Sequence, residues 1–196
     1  MSKNFFSDYK SEFIQTLNLI SNTEFNNCVQ LLRNLRNKKG RLFIIGVGGS
    51  SANASHAVND FRKICNIEAY CPSDNVAELT ARTNDDGFDF IFNNWLKTSN
   101  LKINDLLLIF SVGGGNLKKK VSINIINAIK FAKKKKVKSI AFIGKRDGYA
   151  FKNATLPILF KIKNKNFVTP ISEAMQAALW HAVVTDPKLK FNKTKW

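Results

Sequence analysis

Residues 46–63 read GVGGSSANASHAVNDFRK and follow the apolar run RLFIIGV at 41–47. The order is that of a strand, a tight glycine turn and a helix. Glycines let a backbone come close to a ligand, a helix N-terminus offers N–H groups with no partner inside the helix, and serine hydroxyls add donors. Gly48, Gly49, Ser50 and Ser51 therefore form a candidate cradle for an anion. It is not a dinucleotide fingerprint, because GxGxxG needs glycine where Ser51 stands, and it lacks the Gly-Lys-Ser/Thr of a P-loop. Taken alone, it reads equally as a phosphate cradle or as a strand-to-helix turn with a serine cap.

Outward from this stretch, further apolar runs occur at 106–112 (LLLIFSV), 137–144 (VKSIAFIG) and 154–162 (ATLPILFKI), with a shorter one, IEAYC, at 67–71. Their near-continuous hydrophobicity indicates strands buried on both faces, hence a parallel sheet with helices on both sides. Pro157 marks its strand as an edge. Helices are expected over 50–64, 74–82, 88–98, 117–136 and 170–185, the last opened by Thr169 as cap and Pro170 as first helical residue. Residues 5–38 carry a 3.6-residue period through Phe13, Leu17, Ile20, Phe25, Cys28, Leu31, Leu32 and Leu35, interrupted by SNTEF, a break and fresh cap. With 196 residues, 44% of them hydrophobic and 16 Phe, the chain suits one α/β domain, its 1–38 helices belonging to the same unit as 39–196.

A second glycine-rich loop, SVGGGN at 111–116, follows the next long strand. Two such loops at strand C-termini can converge on one crevice, where open parallel sheets bind ligands. Ser111, Gly113, Gly114, Gly115 and Asn116 join the candidate cradle, and a small phosphorylated metabolite is the expected ligand. The GKRDG at 144–148 reads as an Asp-Gly turn, and TNDDGF at 83–88 as a polar turn and cap before a helix.

The chain has two histidines. His56 lies in the helix after the first loop with Asp60 one turn on, and His181 lies in the last helix with Glu173 eight residues earlier. Two histidines and two carboxylates suit Zn²⁺ or a similar divalent ion. Glu173 is the outlying member, since eight helical residues rise about 12 Å.

The formal charge of +17 raises nucleic acid as a partner, but the excess is Lys spread through the chain, as in Lys133–Lys136 at an expected helix end. No nucleic-acid-binding motif accompanies it, and nucleic acid ranks last among the expected partners. Cys28, Cys65 and Cys71 show no metal or redox spacing, the N-terminal residues lack a signal-peptide core, and no apolar run is long enough for a membrane span. A reduced, cytoplasmic protein is expected.

GVGGSSANASHAVNDF, ARTNDDGFDFIF, LLLIFSVGGGN, VKSIAFIGKRDG and SEAMQAALWH, taken in order, resemble the sugar isomerase (SIS) domain family and, within it, the phosphoheptose isomerases. The resemblance spans residues 40–185. It implies a three-layer αβα sandwich with a five-stranded parallel sheet, assembled as a homotetramer with active sites between subunits. It also implies interconversion of sedoheptulose 7-phosphate and D-glycero-D-manno-heptose 7-phosphate, toward heptose nucleotides for surface glycans. His56, Asp60, Glu173 and His181 fall on metal ligands, Asp60 also on the catalytic base and His181 on the acid/base histidine. Ser50 and Ser111 match phosphate-binding serines and Asp85 a substrate-side aspartate. The chain departs from the family in its SVGGGN loop, where two hydroxyls are missing, in Asp60, one methylene shorter than glutamate, and in Val47. The alternative expectation is a non-catalytic SIS module that binds a sugar phosphate or a protein.

Overall fold

The structure, a computed structural model, describes residues 4–194; the extreme ends of the two expected segments lie outside them. Five parallel strands form one sheet in the order β2-β1-β3-β4-β5: β1 Leu42–Ile45, β2 Ala69–Tyr70, β3 Leu106–Ser111, β4 Lys138–Ile143 and β5 Leu156–Leu159. Every residue of β1 and β3 is buried, as their unbroken apolar runs require. Pro157 sits on β5, an edge strand, where its missing N–H costs no ladder bond.

Strand side chains alternate between two cores. Leu42, Ile44, Leu108, Phe110, Ile140, Phe142 and Ile158 face one cluster, closed by α2 (Asn22–Asn37), α3 (Gly49–Lys63) and α8 (Val168–Thr185). Phe43, Ile45, Leu107, Ile109, Ala141 and Ile143 face the other, closed by α5 (Ile91–Thr98), α6 (Ile123–Lys134) and α7 (Tyr149–Asn153). The expected three layers are present. The N-terminal helix α1 (Phe5–Asn18) leans on the first cluster through Tyr9 and Phe13, and Ser21 starts α2 with a capping box to Glu24.

Several boundaries differ from the sequence reading. The helix expected from 117 begins at Ile123, because 116–122 forms a turn: Asn116 and Val121 exchange N–H···O bonds, and the Asn116 side chain accepts from the Lys119 N–H. α4 (Val76–Asp86), capped by the Asn75 side chain, absorbs residues 83–86, so the expected polar turn is helix until Gly87 ends it at φ 80°. The 88–98 helix is a 3-10 turn at Phe88–Phe90 followed by α5. α7 was missed, and α8 starts at Val168 rather than after Thr169; Pro170 fits its first turn, where N–H groups lack helical partners anyway. Among the described residues no helix is long and apolar enough to cross a membrane.

Candidate active site

The chain turns one way from β1 to β2 and the other way to β3, so the sheet's switch point lies at the C-terminal ends of β1 and β3. Both glycine-rich loops leave the sheet there, from strands in register at Ile45 and Ile109. In the first, Gly48 takes φ 63° and α3 starts at Gly49; a side chain at Gly46 would run into the Ser50 carbonyl. Gly48 and Gly49 are exposed and Ser51 is half-buried. Ser50 is buried, its Oγ accepting from Gln176 Nε2 at 3.0 Å. Val47, Gly48 and Ser51 line a cavity of about 110 Å³ with Ser73, Phe88 and Phe92.

The second loop is folded tightly. Ser111 Oγ accepts the Gly114 N–H at 2.9 Å, while Gly114 and Gly115 turn through φ 68° and 81°. Their carbonyls accept the Ala150 and Tyr149 N–H groups at 2.8 Å each, so this loop caps the first turn of α7. The GKRDG segment is the turn expected, and Gly148 is needed because a side chain there would strike the Gly113 carbonyl. Asp85 is exposed on α4, next to Asn84, which donates to it at 2.8 Å. It does not line the cavity at the first loop.

His56 and Asp60 project from one face of α3, as their i,i+4 spacing predicts, and His181 reaches them from α8. Asp60 Oδ2 lies 3.4 Å from His181 Nε2 and 3.7 Å from His56 Nε2. One donor atom from each of the three residues falls within 4.8 Å of the others. The Asp60 side chain is 7% exposed and the two imidazoles about half exposed, so the group is backed by protein and open on one side. His181 Nδ1 lies 2.8 Å from the Ala177 carbonyl. A carbonyl only accepts, so Nδ1 carries the proton of the neutral ring and Nε2 turns a lone pair toward Asp60. Carboxylate and imidazole lone pairs facing one another across this gap are the donor set of a divalent cation, and these residues fit one.

Glu173 is not among the three. Its carboxylate lies against Gly49, where a Cβ would fall 2.5 Å from it, two turns of α8 away from His181. The cause is the helix rise that made it the outlying member in the sequence.

Three residues that hold the site were missed. Trp180 donates its indole N–H to Asp60 Oδ2 at 3.0 Å, Asn59 donates to Asp60 Oδ1 at 3.1 Å, and Gln176 links Ser50 to Asn53. Trp180 adjoins His181 and Asn59 adjoins Asp60, a proximity signal that cannot by itself show which way a side chain turns. Cys71 lies 2.8 Å from Ser73 Oγ, and burial pushes its thiol pKa up.

No protein-family model matches the chain. The backbone resembles the phosphoheptose isomerase of Neisseria gonorrhoeae, with a TM-score of 0.77 over 92% of this chain and 93% of that one at 22% identity, which defines the sugar isomerase fold. A phosphoheptose isomerase of Campylobacter concisus is 30% identical over 153 residues, 76% of each chain, and one of Buchnera aphidicola 34% identical over 114 residues, 56% of this chain. The chain belongs to the phosphoheptose isomerase family. In several curated relatives the match spans little more than half of their length.

Proposed function

We propose that the protein is a metal-dependent aldose–ketose isomerase acting on a phosphorylated sugar, with sedoheptulose 7-phosphate and D-glycero-D-manno-heptose 7-phosphate as substrate and product. The observation that carries this is the convergence of His56, Asp60 and His181 beside two glycine loops at the sheet's switch point. A sugar phosphate is a cytoplasmic metabolite, and the reading puts the protein's work there, upstream of heptose nucleotides for surface glycans.

In this reading the phosphate is held by the N–H groups of Gly48, Gly49 and Ser50, by the Ser51 and Ser111 hydroxyls and by the N–H groups of Gly113 and Gly115, while Gly114 and Asn116, whose N–H groups bond the Ser111 hydroxyl and the Val121 carbonyl, shape the second loop. Backbone donors take on more of the task because the second loop has lost hydroxyls. Asp85 faces the sugar hydroxyls from α4. The sugar chain extends from the loops toward α3, where Asp60, through the Oδ1 lone pair that Asn59 leaves free, takes a proton from C1 and returns it to C2, while His181, its Nδ1–H on the Ala177 carbonyl, keeps Nε2 for the metal. Zn²⁺ held by His56, Asp60 and His181 would supply Lewis acidity at the carbonyl oxygen. Three protein ligands leave coordination positions open, as catalytic zinc sites do. Glu173, over Gly49, stays a carboxylate of the first loop.

The reading includes a homotetramer. It draws on the apolar outer face of α1, where Phe6, Ile14 and Leu17 are 70%, 51% and 46% exposed. The reading is tested by incubating the protein with sedoheptulose 7-phosphate in deuterated water and following the sugar by NMR. Deuterium entry beside the carbonyl together with aldose formation, both lost in His181→Ala, supports it. Absence of both with the unsubstituted chain contradicts it and leaves a binding module.

A further inference from the structure

Trp180 touches all three members of the His56, Asp60, His181 group. Its Nε1–H donates to Asp60 Oδ2 at 3.0 Å, and its ring lies 5.3 Å from the His56 ring, edge to face, and 4.7 Å from the His181 ring. The indole itself has little freedom. It is 1% exposed and stacked on Phe110 of β3 at 5.7 Å with 21° between planes, and Phe110 is stacked in turn on Phe142 of β4. The sheet thus sets the ring, and the ring sets the carboxylate.

We infer that Trp180 is the positioning residue of this group: its N–H fixes the Asp60 carboxylate so that Oδ2 faces His56 and His181 before any ligand arrives. The inference rests on the metal reading above. An aspartate on a helix has two torsions to fix and a short reach, and Oδ2 is the oxygen from which both imidazole distances are measured. Trp180 takes one lone pair of Oδ2, Asn59 takes one of Oδ1, and the remaining Oδ2 lone pair points to the imidazoles. Without the indole donor the carboxylate would be held by Asn59 alone and would lose a hydrogen bond in a place where water barely reaches. Hydrogen bonds of this kind orient ligating groups and set their affinity. The Phe110 stack explains why a tryptophan, rather than a flexible donor, does this: the N–H is delivered from a rigid plane.

The test uses the full chain stripped of metal by a chelator. Zn²⁺ affinity is measured by competition with a chromophoric chelator for the unsubstituted protein, for Trp180→Phe, which keeps an aromatic ring and removes the N–H, and for Phe110→Leu, which loosens the same stack while keeping the N–H. Thermal unfolding of each metal-free protein is read separately. The expected result is a loss of affinity of about 10- to 100-fold in Trp180→Phe and a much smaller one in Phe110→Leu, although both melt earlier. Affinity in Trp180→Phe equal to that of the unsubstituted chain overturns the inference alone. No Zn²⁺ binding by the unsubstituted chain overturns the metal reading and the inference with it. Should Trp180→Phe fail to fold, the indole N–H signals of the unsubstituted protein decide: adding Zn²⁺ must move that of Trp180 and leave that of Trp95, on the opposite core, in place. An unmoved Trp180 signal overturns the inference.

Discussion

Gln176, with no exposed surface in α8, donates to the Ser50 hydroxyl at 3.0 Å and accepts from the Asn53 side chain at the same distance. Asn53 also donates to the Glu173 carbonyl at 2.9 Å. One amide therefore ties the start of α3 to the middle of α8, the helices that carry the two histidines. Gln176→Leu fills similar volume but leaves buried polar partners unsatisfied, at about 1–3 kcal/mol. Urea unfolding should show that loss, and because Ser50 belongs to the proposed cradle, KM for the phosphosugar should rise more than kcat falls. Unchanged stability and KM would remove Gln176 from the account.

The second loop yields a contrast between neighbouring glycines. Gly115 adopts φ 81° and an added Cβ would lie 2.7 Å from Ile126, whereas a Cβ on Gly113 meets nothing within 4 Å. Gly115→Ala should cost at least about 1–2 kcal/mol from the left-handed backbone alone, with the overlap added. Gly113→Ala should melt close to the parent and act chiefly on phosphosugar affinity. Equal melting temperatures for the two variants would contradict this loop geometry.

At the opposite end of the sheet, Arg41 and Asp105 precede β1 and β3. Asp105, its side chain 4% exposed, accepts from the Arg41 backbone, Nε and Nη2, and from the Lys102 N–H. Asp105→Ala leaves the guanidinium its bonds to the Ser99 and Asn100 carbonyls but removes the acceptor of the Arg41 and Lys102 backbone N–H groups, and should destabilise by about 1–3 kcal/mol. The folded fraction should keep its kcat, because the pair lies a strand's length from the loops. A drop in kcat with stability intact would show that this end of the sheet communicates with the site.

Burial pushes the Cys28 and Cys65 thiols from 9.0 up to about 12. A raised folded-state pKa means that the stability these thiols contribute is fully present below pH 9 and is lost as pH climbs toward 12. Urea midpoints should therefore fall between pH 9 and 11, and less so in Cys28→Ala when compared with its own value at pH 8. In the native state neither thiol should react with a disulfide reagent at pH 8. Rapid labelling there would contradict the burial.

The sheet was legible because strands buried on both faces must be apolar throughout, and β1 and β3 are. His56 and Asp60 were legible as a pair because 3.6 residues per turn fixes them on one face of α3, whereas His181 stood out only as the other histidine of the chain and through the family resemblance. Less visible was what depends on neighbours across space. Helix propensity over 117–122 lost to the Asn116 turn, a contest that periodicity does not register. Five-residue α7 exists because the second loop caps it. Glu173 shares a helix with His181, yet which carboxylate reaches the histidines is a matter of helix rise and packing, and Trp180 and Gln176 read as core residues until α3 is set beside α8.

Sedoheptulose 7-phosphate turnover by the chelator-stripped protein, titrated with Zn²⁺, tests the central claim most directly. The account predicts no isomerisation without metal, activity that rises to a plateau at one Zn²⁺ per chain, and a fall of roughly 100-fold or more in Asp60→Asn at the same metal loading. Full activity in the stripped protein, or in Asp60→Asn, would contradict it.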